Sequence, residues 1–184
     1  MGNKKIVIGL VGESGSGKDT VANYLQEKYG ATAMRFVDPI RETLSIYFEK
    51  ISRQDQIWLA LEFKKRFGED ILCRGLEKRI AAVDGMVVIN GIRFREDSEF
   101  IRRYPDSYVI YITADQKLRW ERTRGRNEKA DDDISFENFQ VMEGAETEVL
   151  IPEIGAQSDF TVINESTFED LLKSVDEIMA KIRK

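Results

Sequence analysis

Nine consecutive residues near the start of the chain have the types and spacing of a loop that binds phosphate. The segment reads Gly12-Glu13-Ser14-Gly15-Ser16-Gly17-Lys18-Asp19-Thr20. Its glycines let the backbone fold around an anion and offer its N–H groups. Lys18 is spaced to reach the β- and γ-phosphates of a nucleoside triphosphate, and a hydroxyl would serve a magnesium ion. The segment predicts a nucleoside triphosphate and Mg²⁺ as cofactors, with contacts from Gly12, Ser14, Gly15, Ser16, Gly17, Lys18, Asp19 and Thr20.

The segments on either side of this loop fit a phosphate site. Residues 6–11 form a continuous apolar run, as in a strand that is buried on both faces. Residues 18–29 have helical spacing, with Val21, Ala22 and Leu25 on one face. The start of that helix adds free N–H groups and the positive end of its dipole. This context favours a phosphate site over a glycine turn without a ligand.

Strand-like and helix-like segments alternate along the whole chain. Further strands are predicted at residues 31–37, 86–90, 107–113 and 159–162. Further helices are predicted at residues 39–50, 54–67, 70–83, 97–104, 115–122, 135–149 and 167–182, with a polar loop over 125–133. Five short apolar strands separated by helices predict an α/β fold, a parallel sheet with helices on both faces. We expect a single domain over residues 1–184.

The composition excludes several kinds of site. The 184 residues include no histidine and one cysteine, Cys73, which we expect to be a buried apolar residue. Histidine bases, histidine-ligated metals, internal disulfides and cysteine-cluster zinc sites are therefore excluded. The net charge of −5 argues against a general nucleic-acid coat. No targeting segment and no membrane-length apolar run is visible, so we expect a cytoplasmic protein.

The phosphate loop resembles that of one group of enzymes. Asp19 follows Lys18 where the common pattern has Ser or Thr, and the hydroxyl comes one place later, at Thr20. This spacing resembles the Gly-Lys-Gly-Thr of P-loop nucleoside-monophosphate kinases, with Asp19 in place of the second glycine. It does not resemble the loop of GTPases. We therefore expect Thr20 to serve the metal.

Arginines follow the second and third predicted strands, where the resemblance implies a site for the acceptor phosphate. Asp38-Pro39-Ile40-Arg41 is similar to the Asp-x-x-Arg of nucleotide monophosphate kinases, whose arginine holds that phosphate. Asn90-Gly91-Ile92-Arg93 resembles the Asp-Gly-x-x-Arg of adenylate kinases. It more closely resembles the Asp-Gly-Ile-Arg of dephospho-coenzyme-A-kinase-like P-loop kinases. For Arg41 the alternative is a solvated charge at a helix end.

Asn90 stands where the family has an aspartate that supports the metal, usually through water. An amide accepts a hydrogen bond from a metal-bound water but brings no charge. Either Mg²⁺ is held more weakly, or another carboxylate supplies the missing charge. The candidates are Asp38, Asp19 and Asp115, and the sequence does not choose between them.

Two further segments extend the resemblance. Residues 52–72, inside a predicted acceptor-binding insert at about 38–83, look like the insert of phage-type deoxynucleoside monophosphate kinases. The implied acceptor contacts are Arg53, Gln54 and Arg66. The alternative is a solvated charged face beside a core stripe of Trp58, Leu59, Leu61 and Phe63.

Residues 117–129 carry six basic and two acidic residues and are similar to an arginine-bearing lid, at about 122–134. Arg122 and Arg126 are the expected phosphate ligands, Arg124 is a weaker candidate, and Arg119 is expected to face solvent; the alternative is a basic surface patch or a nucleic-acid contact.

The resemblance covers nearly the whole chain and implies a three-layer P-loop NTPase fold with strand order 2-3-1-4-5. It implies phosphoryl transfer from ATP to a small acceptor, a nucleoside or deoxynucleoside monophosphate. Lys18, Arg93, Arg122 and Arg126 would act on the transferred phosphate, and Asp38, Arg41, Arg53, Arg66 and Arg93 would bind the acceptor. The alternatives are a dephospho-coenzyme A kinase with Asp38 as base, and an ATP-binding switch or nucleic-acid-associated ATPase. We expect a monomer or homodimer that binds neither membranes nor nucleic acid.

Overall fold

The computed structural model describes residues 5–124 and 134–183, with every side chain in them except that of Arg53. The strands are β1 Ile6–Val11, β2 Thr32–Arg35, β3 Met86–Ile92, β4 Ser107–Thr113 and β5 Phe160–Ile163. The helices of the N-terminal part are α1 Lys18–Tyr29, α2 Asp38–Ser45, α3 Arg53–Phe67, α4 Ile71–Ala81 and α5 Arg95–Ile101. Those that follow are α6 Gln116–Arg124, α7 Phe136–Glu143, α8 Ile151–Ala156 and α9 Phe168–Ile182.

The strands form one parallel sheet in the order β2-β3-β1-β4-β5. Strand β1 lies at its centre, with Leu10 opposite Asn90 of β3 and Ile110 of β4. Successive side chains of β1 enter two separate apolar clusters, Val7 on one face and Ile8 on the other. Helices therefore cover both faces, and the predicted fold class and strand order are confirmed.

The segment after residue 134 differs from the expected single helix over 135–149. Helix α7 ends at Glu143, with Gly144 as its C-cap, and a turn follows. A separate helix, α8, begins at Ile151 with Pro152 in its first turn, where proline is well tolerated. The break brings the turn at residues 144–150 back towards the sheet, where Leu150 packs against the core.

Side-chain burial confirms one expectation and corrects another. Cys73 is 2% exposed in the core, and burial raises the pKa of its thiol to about 12. Trp58 was assigned to a core stripe but is 61% exposed, whereas Leu59 and Phe63 pack partly against the core. The stripe prediction is therefore wrong for Trp58. In the described part of the chain, no helix is both long and apolar enough to cross a membrane.

Candidate active site

The phosphate loop connects β1 to α1 and packs closely against its neighbours. Gly15 has a φ of 77°, in the left-handed region that favours glycine. A Cβ atom at Gly15 would lie 2.3 Å from the carbonyl oxygen of Arg119, so no side chain fits there. Gly17 is the N-cap of α1 and provides no side-chain cap. The first N–H groups of α1 are thus left for an anion.

The far side of the loop is tied to the end of β5. Asn164, which is 8% exposed, donates through Nδ2 to the carbonyl of Ser16 at 2.9 Å. The carbonyl of Asn164 accepts a hydrogen bond from Nη1 of Arg122 at 2.8 Å. Arg122 is therefore held at Asn164, the residue that also contacts the loop, and its role as a phosphate ligand stays a prediction. Arg126 lies outside the described residues.

Arg119 is a correction to the sequence analysis. It was expected to face solvent but is 6% exposed, and it holds the loop from the side of α6. Its Nε donates to the carbonyl of Ala114 at 2.9 Å, its Nη1 donates to the carbonyl of Ser14 at 3.3 Å, and its guanidinium pairs with Glu143. The sequence does not show which of the basic residues around Arg119 faces the phosphate loop, because that depends on the residue at which α6 begins.

Glu13 is a site residue that the sequence analysis missed. Its side chain is 8% exposed, and Oε1 accepts a hydrogen bond from the hydroxyl of Tyr111. Burial, together with this hydrogen bond, raises the pKa of Tyr111 to about 12. Oε2 of Glu13 is buried and has no hydrogen-bond partner among the described residues. The backbone carbonyl of Glu13 accepts from Nζ of Lys18 at 2.8 Å, so the loop lysine is folded back onto its own loop.

A cavity of about 350 Å³ opens beside the loop, between α6, α7 and the turn before α8. Its lining residues are Glu13, Gln116, Arg119, Glu143, Glu148, Val149, Ile151 and Pro152. This volume is at the lower end of the range for small-molecule sites. Glu13 is the residue of the phosphate loop that lines this cavity.

Arg93 lies at the carboxyl end of β3, next to the start of the loop. The strand register pairs Leu10 with Asn90, and a shift then pairs Val11 with Ile92. The Arg93 guanidinium forms an ion pair with Glu148 and donates to the carbonyl of Thr147 at 3.2 Å. The predicted acceptor arginine is therefore at the loop, and its charge is partly balanced by a carboxylate that the sequence analysis did not single out.

A buried carboxylate holds the backbone of Arg93. Oδ2 of Asp97 accepts from the N–H groups of Arg93 and Phe94 at 3.0 and 3.1 Å. Asp97 is 3% exposed, and this burial raises its pKa to about 6, while the two N–H groups and nearby Lys64 act in the opposite direction. Asp97 thus holds the backbone of the turn that contains Arg93.

The remaining predicted acceptor residues lie on α2 and α3. Asp38 begins α2 and accepts from the N–H of Arg35 through Oδ2 at 2.7 Å. Arg41 on α2 and Arg66 in the last turn of α3 are exposed. Arg53 begins α3, and its side chain lies outside the described structure. Direct acceptor contacts from these three arginines stay predictions.

The metal side of the loop is formed by the first turn of α1. Thr20 is partly buried there, and Asp19 accepts through Oδ1 from Nδ2 of Asn90 at 2.8 Å and from Nη2 of Arg35 at 2.9 Å. Across residues 5–124 and 134–183, no group of three or more acidic or cysteine side chains is arranged to hold a metal ion. A site of fewer protein ligands still suits Mg²⁺, which is usually held by one or two carboxylates together with phosphates and waters.

A protein-family model described as AAA domain matches residues 8–143, which include the loop, Arg93 and α6. The chain belongs to the AAA domain family. Among its relatives, a UPF0200 protein of Staphylothermus marinus is 25% identical over 179 residues, covering 97% of this chain and 94% of the relative. A UPF0200 protein of Sulfurisphaera tokodaii is 27% identical over 180 residues, covering 96% and 97%.

Solved structures share the fold of this AAA domain chain. TT1252 from Thermus thermophilus has a TM-score of 0.68 at 19% identity and covers 97% of this chain and 98% of its own. Shikimate kinase from Bacteroides thetaiotaomicron has a TM-score of 0.65 at 15% identity, with coverage of 97% and 99%. A gluconokinase from Sinorhizobium meliloti has a TM-score of 0.60 at 14% identity, with coverage of 98% and 94%. The fold is that of the P-loop kinases.

Proposed function

We propose that this protein transfers the γ-phosphoryl group of ATP to a small acceptor, and that the acceptor is a nucleoside or deoxynucleoside monophosphate. The observation that carries the proposal is the position of Arg93 at the carboxyl end of β3, beside the phosphate loop. Ligands of open α/β sheets bind at this edge. A guanidinium binds the oxygens of a phosphate in bidentate geometry, which suits an anionic acceptor.

The donor half of the site is supported by the loop geometry. Gly15 and the uncapped start of α1 leave backbone N–H groups for the phosphates of ATP, and Lys18, whose Nζ donates to the carbonyl of Glu13, would turn towards those phosphates. Thr20 would bind Mg²⁺, which neutralises charge on the β- and γ-phosphates when bound. The kinase names of two solved structures with this fold agree with phosphoryl transfer.

The acceptor half is supported by exposed aromatic side chains in the insert at about 38–83. Tyr47, Phe48, Trp58 and Phe67 are each more than half exposed. Flat apolar faces at the surface are unfavourable in water and suit stacking against a nucleobase. An acceptor with a base and a phosphate would use both this surface and Arg93.

Phosphoryl transfer to a phosphate oxygen requires mainly that the protein position the two substrates and stabilise the charge on the transferred group. A phosphate oxygen of the acceptor is already a nucleophile, so a chain without histidine needs no dedicated base for this step. Arg93 would bring the two anions together, and Arg122, docked at Asn164, would stabilise charge on the transferred group with Arg126. The insert and the lid at about 122–134 would together exclude water from the bound substrates.

A hydroxyl acceptor, as in a dephospho-coenzyme A kinase, is the second candidate. It is favoured by the cavity beside the loop, whose walls include Glu13, Glu143 and Glu148. A carboxylate there, or Asp38, would take the proton of a hydroxyl nucleophile.

The test is ADP release from ATP and Mg²⁺ with a panel of ribo- and deoxyribonucleoside monophosphates and dephospho-coenzyme A. Stimulation by a monophosphate is the expected result. Arg93→Met should then raise the KM for that acceptor by roughly 10- to 100-fold, as expected for a lost charge-assisted contact. Arg95→Met is the matched control, because Arg95 is exposed and pairs with Glu153 away from the loop.

Three results would contradict the proposal. Stimulation by dephospho-coenzyme A alone would favour the hydroxyl acceptor. A flat panel with steady hydrolysis would favour an ATP-binding switch or a nucleic-acid-associated ATPase. An Arg93→Met variant with unchanged acceptor KM and turnover would show that the acceptor site is elsewhere.

A further inference from the structure

Asn90 is uncharged, so another carboxylate would support Mg²⁺ if the ion is bound tightly, and the three that the sequence analysis names are Asp115, Asp38 and Asp19. Two of them already have structural roles. Asp115 accepts through Oδ1 from the second and third backbone N–H groups of α6 at 2.9 and 3.2 Å, and so caps that helix. Asp38 accepts from the N–H of Arg35 at 2.7 Å, which fixes the turn from β2 into α2.

Asp19 is the candidate that contacts Asn90. Its Oδ1 accepts from Nδ2 of Asn90 at 2.8 Å and from Nη2 of Arg35 at 2.9 Å. Both of these hydrogen bonds end on Oδ1, which leaves Oδ2 for a further partner. Asp19 precedes Thr20 in the first turn of α1, so its carboxylate lies on the metal side of the loop.

The other end of the Asn90 amide supports the same site. Only the amide nitrogen can donate to a carboxylate, so the contact with Asp19 assigns the orientation of the amide. Oδ1 of Asn90 is then a buried acceptor, in a residue that is 5% exposed, and it has no partner within the described residues. A buried acceptor without a donor is costly. A water molecule of a hydrated Mg²⁺ ion is a donor of the kind that this oxygen lacks.

We infer that Asp19 supplies the carboxylate that supports ATP-bound Mg²⁺ in this protein, and that Asn90 accepts from a water of the ion. The inference rests on the proposed binding of ATP with Mg²⁺. Relative to the kinases that the sequence resembles, the negative charge has moved from the end of the third strand to the first turn of the helix. The hydrogen bond between the two side chains keeps the pair in one place.

The test measures binding rather than turnover. The dissociation constant of ATP is determined by calorimetry in EDTA and in excess MgCl₂. The value in EDTA divided by the value in MgCl₂ gives a ratio that reports how much the ion strengthens ATP binding. Mn²⁺ binding to the protein with ATP, followed by electron paramagnetic resonance, gives an independent readout. Asp19→Asn should reduce the ratio by roughly 10- to 100-fold, as for other groups that support a bound metal. The double variant Asp19→Asn/Asn90→Asp, which returns the charge to the strand, should restore most of it.

Two controls separate metal support from a structural role. Asp115→Asn removes an equal charge but keeps a good helix cap, and should leave the ratio unchanged. Arg35→Met removes the ion pair with Asp19 and should not lower the ratio, because the carboxylate remains. A wild-type ratio in Asp19→Asn, or an equal loss in Arg35→Met or Asp115→Asn, would overturn the inference. If the wild-type protein shows no Mg²⁺-dependent ATP binding, both this inference and the proposed function are overturned.

Discussion

The Arg119 guanidinium forms a largely buried ion pair with Glu143, which joins α6 to α7. Nη2 of Arg119 donates to Oε2 of Glu143 at 3.4 Å, and Nη1 also donates to the carbonyl of Ser14 at 3.3 Å. A single side chain therefore links the phosphate loop to the helices on either side of residues 125–133. Loss of this ion pair should disturb both stability and nucleotide binding.

Replacing Arg119 by Met should lower the free energy of unfolding by about 3 kcal/mol, because Glu143 would be left as a mostly buried, unpaired charge. ATP affinity should fall at the same time, since the carbonyl of Ser14 loses its donor. Urea denaturation and calorimetry measure the two effects. Arg124→Met is the control: Arg124 is exposed over the ring of Trp120, and its loss should cost about 1 kcal/mol at most. Equal losses in the two variants would contradict the assignment.

Alanine at Gly15 should abolish ATP binding, whereas alanine at Gly30 should not. Both glycines have positive φ, 77° and 68°, so both substitutions carry a backbone strain of about 1–2 kcal/mol. Only at Gly15 does the added Cβ meet a backbone oxygen, that of Arg119, while at Gly30 it meets open space. Calorimetric titration with ATP and Mg²⁺ checks the difference. ATP affinity like that of the wild type in Gly15→Ala would show that the loop does not need its close contact with α6.

Glu148→Gln should lower the KM for an anionic acceptor by about 3- to 10-fold, since the substitution removes the charge that competes for Arg93. Initial rates with the best monophosphate of the panel measure this effect. Glu153→Gln is the control, because it weakens the corresponding exposed pair with Arg95. An increase in KM would instead indicate that Glu148 itself binds the acceptor, as a hydroxyl substrate in the neighbouring cavity would require.

Asp97→Asn should change how stability depends on pH. The pKa of Asp97 is raised by burial from its ordinary value of 3.8 to about 6 in the folded protein, so the native state binds its proton more tightly than the unfolded state does. The bound proton contributes fully to the free energy of unfolding below pH 3.8, and this contribution, about 3 kcal/mol, is lost as the pH rises through 6. The variant carries no such proton and should gain stability relative to the wild type across that range. Urea denaturation at a series of pH values tests this.

Asp55→Asn is the matched control for that experiment. Asp55 is an exposed carboxylate whose pKa is lowered by its hydrogen bonds with Ser52 in the capping box of α3. Its contribution to stability is present above its unfolded pKa and is lost as the pH falls, so its difference from the wild type should be level between pH 4 and 6. A level difference for Asp97→Asn as well would mean that Asp97 is ionised throughout this range.

The sheet and the phosphate loop were predictable because their signals are local. Ile6–Val11 is uniformly apolar, and the glycines and Lys18 follow it at fixed spacing, so the strand, loop and helix α1 were correctly placed. The predicted helix over 135–149 ran past the break at Gly144, and α8 was not predicted because its six residues are too few to show a helical period. Cys73 was predictable because an isolated cysteine is most often buried.

The supports of the site were not predictable, because they depend on which elements meet in space. Arg119 and Arg122 have the same side chain in the same helix, yet one holds Ser14 and Glu143 while the other reaches Asn164. The two side chains differ in the elements that pack around them, the phosphate loop and α7 for Arg119 and the end of β5 for Arg122, and no spacing in the chain encodes that packing. The apolar stripe of the alternative interpretation did not separate Trp58, which is 61% exposed, from the adjacent Leu59, which packs partly against the core.

The central position of β1 also bears on how the protein is made. This strand leaves the ribosome before the other four strands of the sheet, but its two neighbours are β3 and β4. One edge of β1 therefore stays unpaired until residue 92 has been synthesised, and the other until residue 113. Asn164, which secures the loop at Ser16, emerges later still. Such non-local pairing is slow to form and leaves an apolar strand exposed meanwhile. The nascent chain therefore has its complete phosphate loop sequence long before the loop is held in its folded position, and a nucleotide would stabilise only molecules that have folded through β5.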